Sequence, residues 1–528
     1  MGIPYYFSYL IKNHKNIINK INNNINFNNL YLDCNSIVYE SIVYDNFINK
    51  SQFENYIITN VIQKIDCIIK LIDPDKTVFI TFDGVPPIAK LNQQKNRRYK
   101  SWYQNKLFNE ANLWDTCSIT PGTLFMEKLN ITIKNHYETN TYKQKILLNL
   151  SDVPGEGEHK IFEYIRKNNH KNDNTVIYGM DADLIMLSLN HLKYCESIYL
   201  YRETPQFIKF IDKSLSSEEK YLINIAELGT QIYKILSNDK INDNSNIDSD
   251  ILYSKIDDYI FICFLLGNDF MPHLPAINIR LNGFTVLFDL YKELFSGEKT
   301  LIKDGKIVWS NFKLYIQKLA TNEHNFLYEI YNIRNKQQKK YFPENTDEEK
   351  QNKFIQTPSW ERNIERFINP YERYWEFRYY YSLFDLNVDN NKNAITNICN
   401  NYLQTLQWTY YYYSKGCVNW NHYYKYHYPP LLIDLCKHIP YFDSEIVLKE
   451  EYDILHPHVL LSYVLPRNSL NLLPDKIHNY LLKNYENQYR EDYEFVYAFC
   501  KYFWEGHVKF PHLNFIELKT NVMKLINE

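Results

Sequence analysis

TVIYGMDAD, residues 175–183, is a β-branched and aromatic run that stops at a glycine and two acids, the pattern of a buried strand feeding a turn. NLYLDCN (29–35), TVFITFDG (77–84) and KILLNLSD (145–152) repeat it, and the stretches 36–72 and 85–114 between them read as helices. Strands alternating with helices predict a mostly parallel, twisted sheet in an α/β core flanked by helices. Three of the four strands end in aspartate near their C-terminal edge, and the fourth leads into Glu156 and Glu158. Open α/β sheets carry their sites along that edge.

Outside this frame the chain changes texture. Asn-rich connectors at 19–29 and 238–250 read as surface loops, and a polar segment containing PENTDEEKQNK precedes a helical, Trp- and Tyr-rich region. The expected organisation is an α/β core over 1–340, a polar linker over 341–358 and a helical, aromatic-rich region over 359–528 that completes the cleft. With 528 residues the chain has room for roughly three domains of about 150 residues. The 45% hydrophobic and 23% charged content is that of a globular protein and excludes collagen-like, disordered and disulfide-stapled classes. Most of the 48 Tyr are expected to be packing.

A net charge of -3 excludes an unspecific polyanion binder, so any nucleic-acid site must be local. Nine scattered Cys without a CxxC pair point to reduced thiols, and the N-terminus reads as no signal peptide. A cytoplasmic setting is the expectation, or a replication compartment if the source is a virus. The longest apolar stretch, around Tyr259 to Gly267, is far short of the ~20 residues that cross a bilayer. No dimerisation pattern stands out, so a monomer is expected.

The strand ends and their following turns carry Asp33, Asp83, Glu156, Glu158, Asp181 and Asp183, and Asp269 follows the apolar run FICFLLG. One such acid is ordinarily a helix cap or a solvated group. Seven on one edge would repel strongly unless cations lay between them. All-oxygen ligation favours Mg²⁺, with Mn²⁺ as a substitute, and two ions ~3.5–4 Å apart suit in-line phosphodiester hydrolysis. Asp181 and Asp183 are spaced to share one face of an extended segment, and Glu156 and Glu158 likewise in a Gly-bracketed turn. A few residues past Asp83, AKLNQQKNRRYK places Lys90, Gln94 and Arg97 on one helical stripe with Arg98 beside them. This stripe is either an ordinary solvated basic face or a phosphate-binding surface, and its position beside Asp83 favours the second.

MGIPYYF, LYLDCNS, DGVPPIAKLNQQKNRR, SITPGTLFM, VPGEGEHKI, YGMDADLIMLSL and CFLLGNDFMPHLP together resemble, in order, the motif set of the Xrn-type 5′→3′ exoribonucleases. The likeness continues through YYYYSKGCVNWNHYYKYHYPPLLIDL, VLPRNSLNLLP and YFWEGHVKFPHL, so it covers nearly the whole chain. It implies a PIN/FEN-like 5′ nuclease core, in a minimal catalytic body without the long C-terminal extension of some members. The seven acids would be the metal ligands, and Lys90, Gln94, Arg97 and Arg98 the pocket for a 5′-monophosphate. The implied reaction is processive degradation of single-stranded, 5′-monophosphorylated RNA to nucleoside 5′-monophosphates in RNA turnover, with decapping enzymes as functional partners.

The family stacks the first bases between a His and a Trp. Tyr39 stands at the His position and Trp420 is the candidate for the Trp, while Gly2 and Pro4 resemble the segment that narrows the entrance. The stretch between Arg98 and Ser118 is shorter than the family's projecting helix. Two alternatives stand beside this reading. A flap-type DNA nuclease would follow its last aspartate with a Gly-rich hairpin, which GNDFMPHLPAINI does not offer, and an inactive RNA-binding scaffold would be expected to have lost some of these acids or cations.

Overall fold

In the computed structural model the main sheet contains β1 (Ile18–Lys20), β2 (Asn29–Asp33), β3 (Thr77–Thr81), β4 (Lys145–Asn149), β5 (His170–Tyr178), β6 (Cys195–Tyr201) and β7 (Tyr221–Asn224). Their order is β1-β7-β6-β5-β2-β3-β4. β4, β3, β2, β5 and β6 run parallel, and β7 and β1 are antiparallel additions at one side. The structure describes residues 5–14, 16–21, 25–44, 49–108, 113–204, 208–237, 248–295, 297, 299–387, 393–450 and 453–528. Gly2, Pro4 and the connector residues 22–24 and 238–247 lie outside these.

Seven helices accompany the sheet up to residue 191: α1 (Tyr6–Asn13), α2 (Asn35–Glu40), α3 (Lys50–Ile72), α4 (Ile88–Leu107), α5 (Leu124–Thr139), α6 (Gly157–Lys167) and α7 (Asp183–His191). The stretch expected as one helix over 36–72 is therefore split into α2 and α3, and Asn49 caps the second by accepting the Gln52 amide. The helix expected over 85–114 is α4, which opens after Pro87 and holds no β-branched residue beyond its first position.

Side-chain alternation along the strands sorts the core into two layers. Leu30, Leu32, Val78 and Ile80 face α3 and α5, whereas Tyr31, Phe79 and Ile177 face α6 and α7. The second layer also takes in the Ser249–Cys263 helix and the Ala394–Ser414 helix, so one continuous hydrophobic core joins the sheet to the C-terminal helices. The polar segment after residue 340 holds a short helix, Asp347–Ile355, closed by a Thr346–Glu349 capping box. Beyond it the structure is helical and aromatic, with one small antiparallel pairing of Phe495–Val496 with His507–Val508. No described helix is long and apolar enough to cross a membrane.

Candidate active site

Four adjacent parallel strands, β4, β3, β2 and β5, end on one edge, and the acids stand just past them. Asp33 is the last residue of β2 and Asp83 lies two residues beyond β3. Glu156 is the N-cap of α6 and Glu158 lies in its first turn. Asp183 opens α7, with Asp181 two residues before it. Both acid pairs therefore sit at helix starts, where the amide ends favour negative charge, whereas the aspartates were expected in an extended segment and the glutamates in a Gly-bracketed turn. Asp269 follows the Ser249–Cys263 helix and a short 3-10 turn.

Carboxylate oxygens of Asp33, Asp83 and Glu158 lie within 4.8 Å of one another. Burial, then Asp83 and Asp181, push the Asp33 carboxyl well above its ordinary range. Burial, then Glu156 and Asp33, do the same to Glu158. Asp183 is raised to about 7 by burial and by Asp269. The structure thus brings all seven acids into one repelling cluster.

Neighbouring groups fix the acids in place. Asn35 donates to Asp83 Oδ2 at 2.5 Å, and the Gly157 amide donates to Asp83 Oδ1 at 2.7 Å. The turn before Glu156 is stitched to the turn after Asp83 by Gly84 N–H to Gly155 O and Gly155 N–H to Val85 O, at 2.8 and 2.9 Å. Gly157 permits the close approach: a Cβ there would lie 2.5 Å from Asp33 Oδ1. Beneath the cluster Lys160 donates to the carbonyls of Phe82 and Leu150, each at 2.8 Å, and burial lowers its ammonium to about 8. From the C-terminal region, Tyr412 donates to Glu156 Oε1 at 2.8 Å, and the Tyr413 hydroxyl faces Asp183.

The donor set suits hard cations. Asp33 Oδ1 is buried without a hydrogen-bond partner among the described residues, and Asp33, Asp83 and Glu158 could each offer a carboxylate oxygen to one ion. His159 also lies within 4.8 Å of Glu156 and Glu158, a neighbour that the reading of acids alone did not include.

The sequence places Lys90, Gln94 and Arg97 on one stripe of α4 with Arg98 beside them, and the structure divides that stripe. Lys90 is buried among the acids, 2.5 Å from Glu156 and 2.7 Å from Asp269. Burial alone would raise the Asp269 carboxyl, yet Lys90 holds it below the usual carboxylate range. Arg97 is exposed, while Gln94 and Arg98 are half-buried. Arg98 donates to Thr120 at 2.9 Å, and Arg98 Nη1 and Gln94 Oε1 have no hydrogen-bond partner among the described residues.

Nor is α4 an ordinary solvated helix. Tyr463 donates to Asn92 at 2.5 Å, Asn96 accepts the Val508 amide at 2.9 Å, and Lys95 is buried against the rings of Tyr463 and Phe510. Tyr39, on α2, is 43% exposed and lies near Arg98. Trp420 is buried, and its carbonyl accepts the Ile88 amide at the start of α4, at 3.0 Å.

A model of the XRN 5′-3′ exonuclease N-terminus matches residues 1–204, and a model of the Xrn1 helical domain matches 250–366 and 345–528. The chain belongs to the XRN family. Its XRN relatives include the 5′-3′ exoribonuclease 1 of Saccharomyces cerevisiae, 27% identical over 90% of this chain and 40% of the relative. The 5′-3′ exoribonuclease 1 of Homo sapiens is 28% identical over 93% of this chain and 32% of its own length. The 5′-3′ exoribonuclease 2 of Eremothecium gossypii is 29% identical over 63% of this chain and 42% of its own. The chain therefore spans 32% to 42% of the length of these XRN relatives.

Proposed function

We propose that this XRN-family protein is a processive 5′→3′ exoribonuclease that degrades single-stranded, 5′-monophosphorylated RNA to nucleoside 5′-monophosphates. The observation that carries the reading is the gathering of seven carboxylates, four of them buried, at one sheet edge with Lys90 of α4 buried among them. Asp33, Asp83, Glu156, Glu158, Asp181, Asp183 and Asp269 would hold two Mg²⁺ ions, for which Mn²⁺ could substitute. Such ions supply a nucleophile from water at neutral pH and neutralise the charge that develops on the leaving oxygen. The chain's own residues do the rest. Arg97, Arg98 and Gln94 bind the terminal phosphate oxygens, and Lys90 links that surface to the acids. Tyr39 and Trp420 stack the first bases, each stack contributing about 1–3 kcal/mol. Residues 359–528 complete the cleft around the core. The setting we infer is cytoplasmic RNA turnover by a monomer that acts on the products of decapping.

A 3′-labelled single-stranded RNA incubated with the protein in Mg²⁺, with 5′-monophosphate, triphosphate or hydroxyl ends, tests this reading. The expected result is fast mononucleotide release from the monophosphate alone, with Asp183→Ala inactive on every end. Equal degradation of all three ends would leave a nuclease without 5′-end selection, and no degradation of any would remove the enzymatic reading.

A further inference from the structure

Glu156 stands at the N-cap of α6, a position from which a carboxylate can fold back to accept an amide of its own first turn. It makes no such bond. Its Oε1 accepts the Tyr412 hydroxyl at 2.8 Å, and its Oε2 meets the Lys90 ammonium at 2.5 Å. Tyr412 is 256 residues away in sequence, on the Ala394–Ser414 helix, and its buried ring is clamped. It stacks on His159 with centroids 3.6 Å apart and on Trp408 at 4.8 Å, and Phe270, next to Asp269, approaches edge-on at 5.4 Å. The ring cannot turn without breaking this packing, and the buried hydroxyl would lose its acceptor if it did.

We propose that Tyr412 is a positioning residue whose hydroxyl holds Glu156 off the α6 N-terminus and aims its carboxylate into the acid cluster. The C-terminal helices then set the cation affinity of a site whose seven acids all lie between residues 33 and 269. The inference rests on the function proposed above. Without the hydroxyl, Glu156 can fold back onto the first-turn amides of its own helix beyond Gly157, whose amide Asp83 holds. The new cap offsets the lost bond in stability but withdraws a ligand from the cluster.

The test is Mn²⁺ titration of the 528-residue chain followed by electron paramagnetic resonance, with melting curves alongside. Tyr412→Phe keeps the ring and both stacks. Tyr411→Phe is the control, because that hydroxyl is buried without a hydrogen-bond partner among the described residues. The expected result is Mn²⁺ affinity weaker by about 10- to 100-fold in Tyr412→Phe, the range for losing a group that orients a ligand. Its melting temperature stays close to wild type, and Tyr411→Phe binds as wild type does. Tyr412→Phe combined with Glu156→Gln should bind no more weakly than Glu156→Gln alone, because the hydroxyl acts through that carboxylate.

Equal affinity in wild type and Tyr412→Phe overturns the proposal. So does an additive loss in the double variant, or a Tyr412→Phe chain that no longer folds. Wild-type Mn²⁺ binding that depends on Tyr412 but comes without RNA degradation keeps the positioning role and removes the exoribonuclease reading. RNA degradation with equal affinities does the reverse, and a wild-type chain that binds no Mn²⁺ overturns both.

Discussion

Two buried charge clusters in this protein are built on opposite terms. Where the Glu323–Gln338 helix meets the Asn363–Ile368 helix, Arg334, Arg362 and Glu365 are each at most 4% exposed. Glu365 accepts from Arg334 at 2.8 Å, from Arg362 at 2.6 Å and from the Phe499 amide at 2.8 Å. Arg334 spends its other donors on the carbonyls of Cys500 and Pro358, and Arg362 donates to Asn335. Two guanidinium groups there share one carboxylate, and all their donors except Arg362 Nη2 are met within the protein. At the sheet edge seven carboxylates crowd together with the Lys90 ammonium buried against Glu156 and Asp269, and burial, then the repulsion among the acids, pushes Asp33 and Glu158 well above their ordinary range. A buried cluster of opposite charges is costly to break by removing one partner, whereas a crowd of like charges with perturbed ionisation is the pattern of a functional site.

The contrast makes predictions of opposite sign. Asp33→Asn should cut RNA turnover to background while raising the melting temperature of the chelator-treated protein, because one source of repulsion is gone. The pH dependence follows from the raised Asp33 carboxyl. An acid whose folded pKa lies above its unfolded value of about 3.9 gives its full stability below that value, and the contribution is lost as pH rises through the folded pKa. The Asp33 contribution to the stability of the metal-free protein should therefore fall as pH rises from about 4, and Asp33→Asn should lack that fall when its calorimetric melts are compared with wild type across pH. A fall in the variant's melting temperature would make the sheet-edge cluster structural like the other.

Glu365→Gln should do the reverse. It leaves two buried guanidinium groups without their anion, at a cost of about 3–5 kcal/mol. A lower melting temperature with Mn²⁺ affinity unchanged would separate the two clusters cleanly, and an equal loss of both would tie them together.

Much of this was legible in the sequence because the acids announce themselves locally. β2, β3 and β5 each lead directly to an aspartate, and β4 leads to the Glu156 turn, so strand and site were read from the same residues. β1, β6 and β7 carry no such marker. β1 spans three residues, and β6 begins straight after a 3-10 turn at Leu192–Tyr194 with no Gly or Pro between. The helical starts at Glu156 and Asp183 were hidden because alternating acids and glycines look extended until the following turn is counted. The supports of the site were harder still. Asn35 and Lys160 lie within LYLDCNS and VPGEGEHKI, but their contacts with the Asp83 carboxylate and with backbone carbonyls are not legible in those motifs, and Tyr412 sits in a run of four tyrosines that reads as packing. Their roles arise from chain segments far apart in sequence, which no local pattern records.

The central claim is that the conflicted acids and the α4 stripe form one site that reads a 5′-phosphate. Its most direct test is the ratio of degradation rates for 5′-monophosphate and 5′-hydroxyl RNA in wild type, Arg97→Ala and Arg98→Ala. Each substitution should lower that ratio by about 10- to 100-fold, the equivalent of a charge-assisted contact of ~1.5–3 kcal/mol, while the rate on hydroxyl ends stays near wild type. A ratio unchanged in both variants would contradict the account.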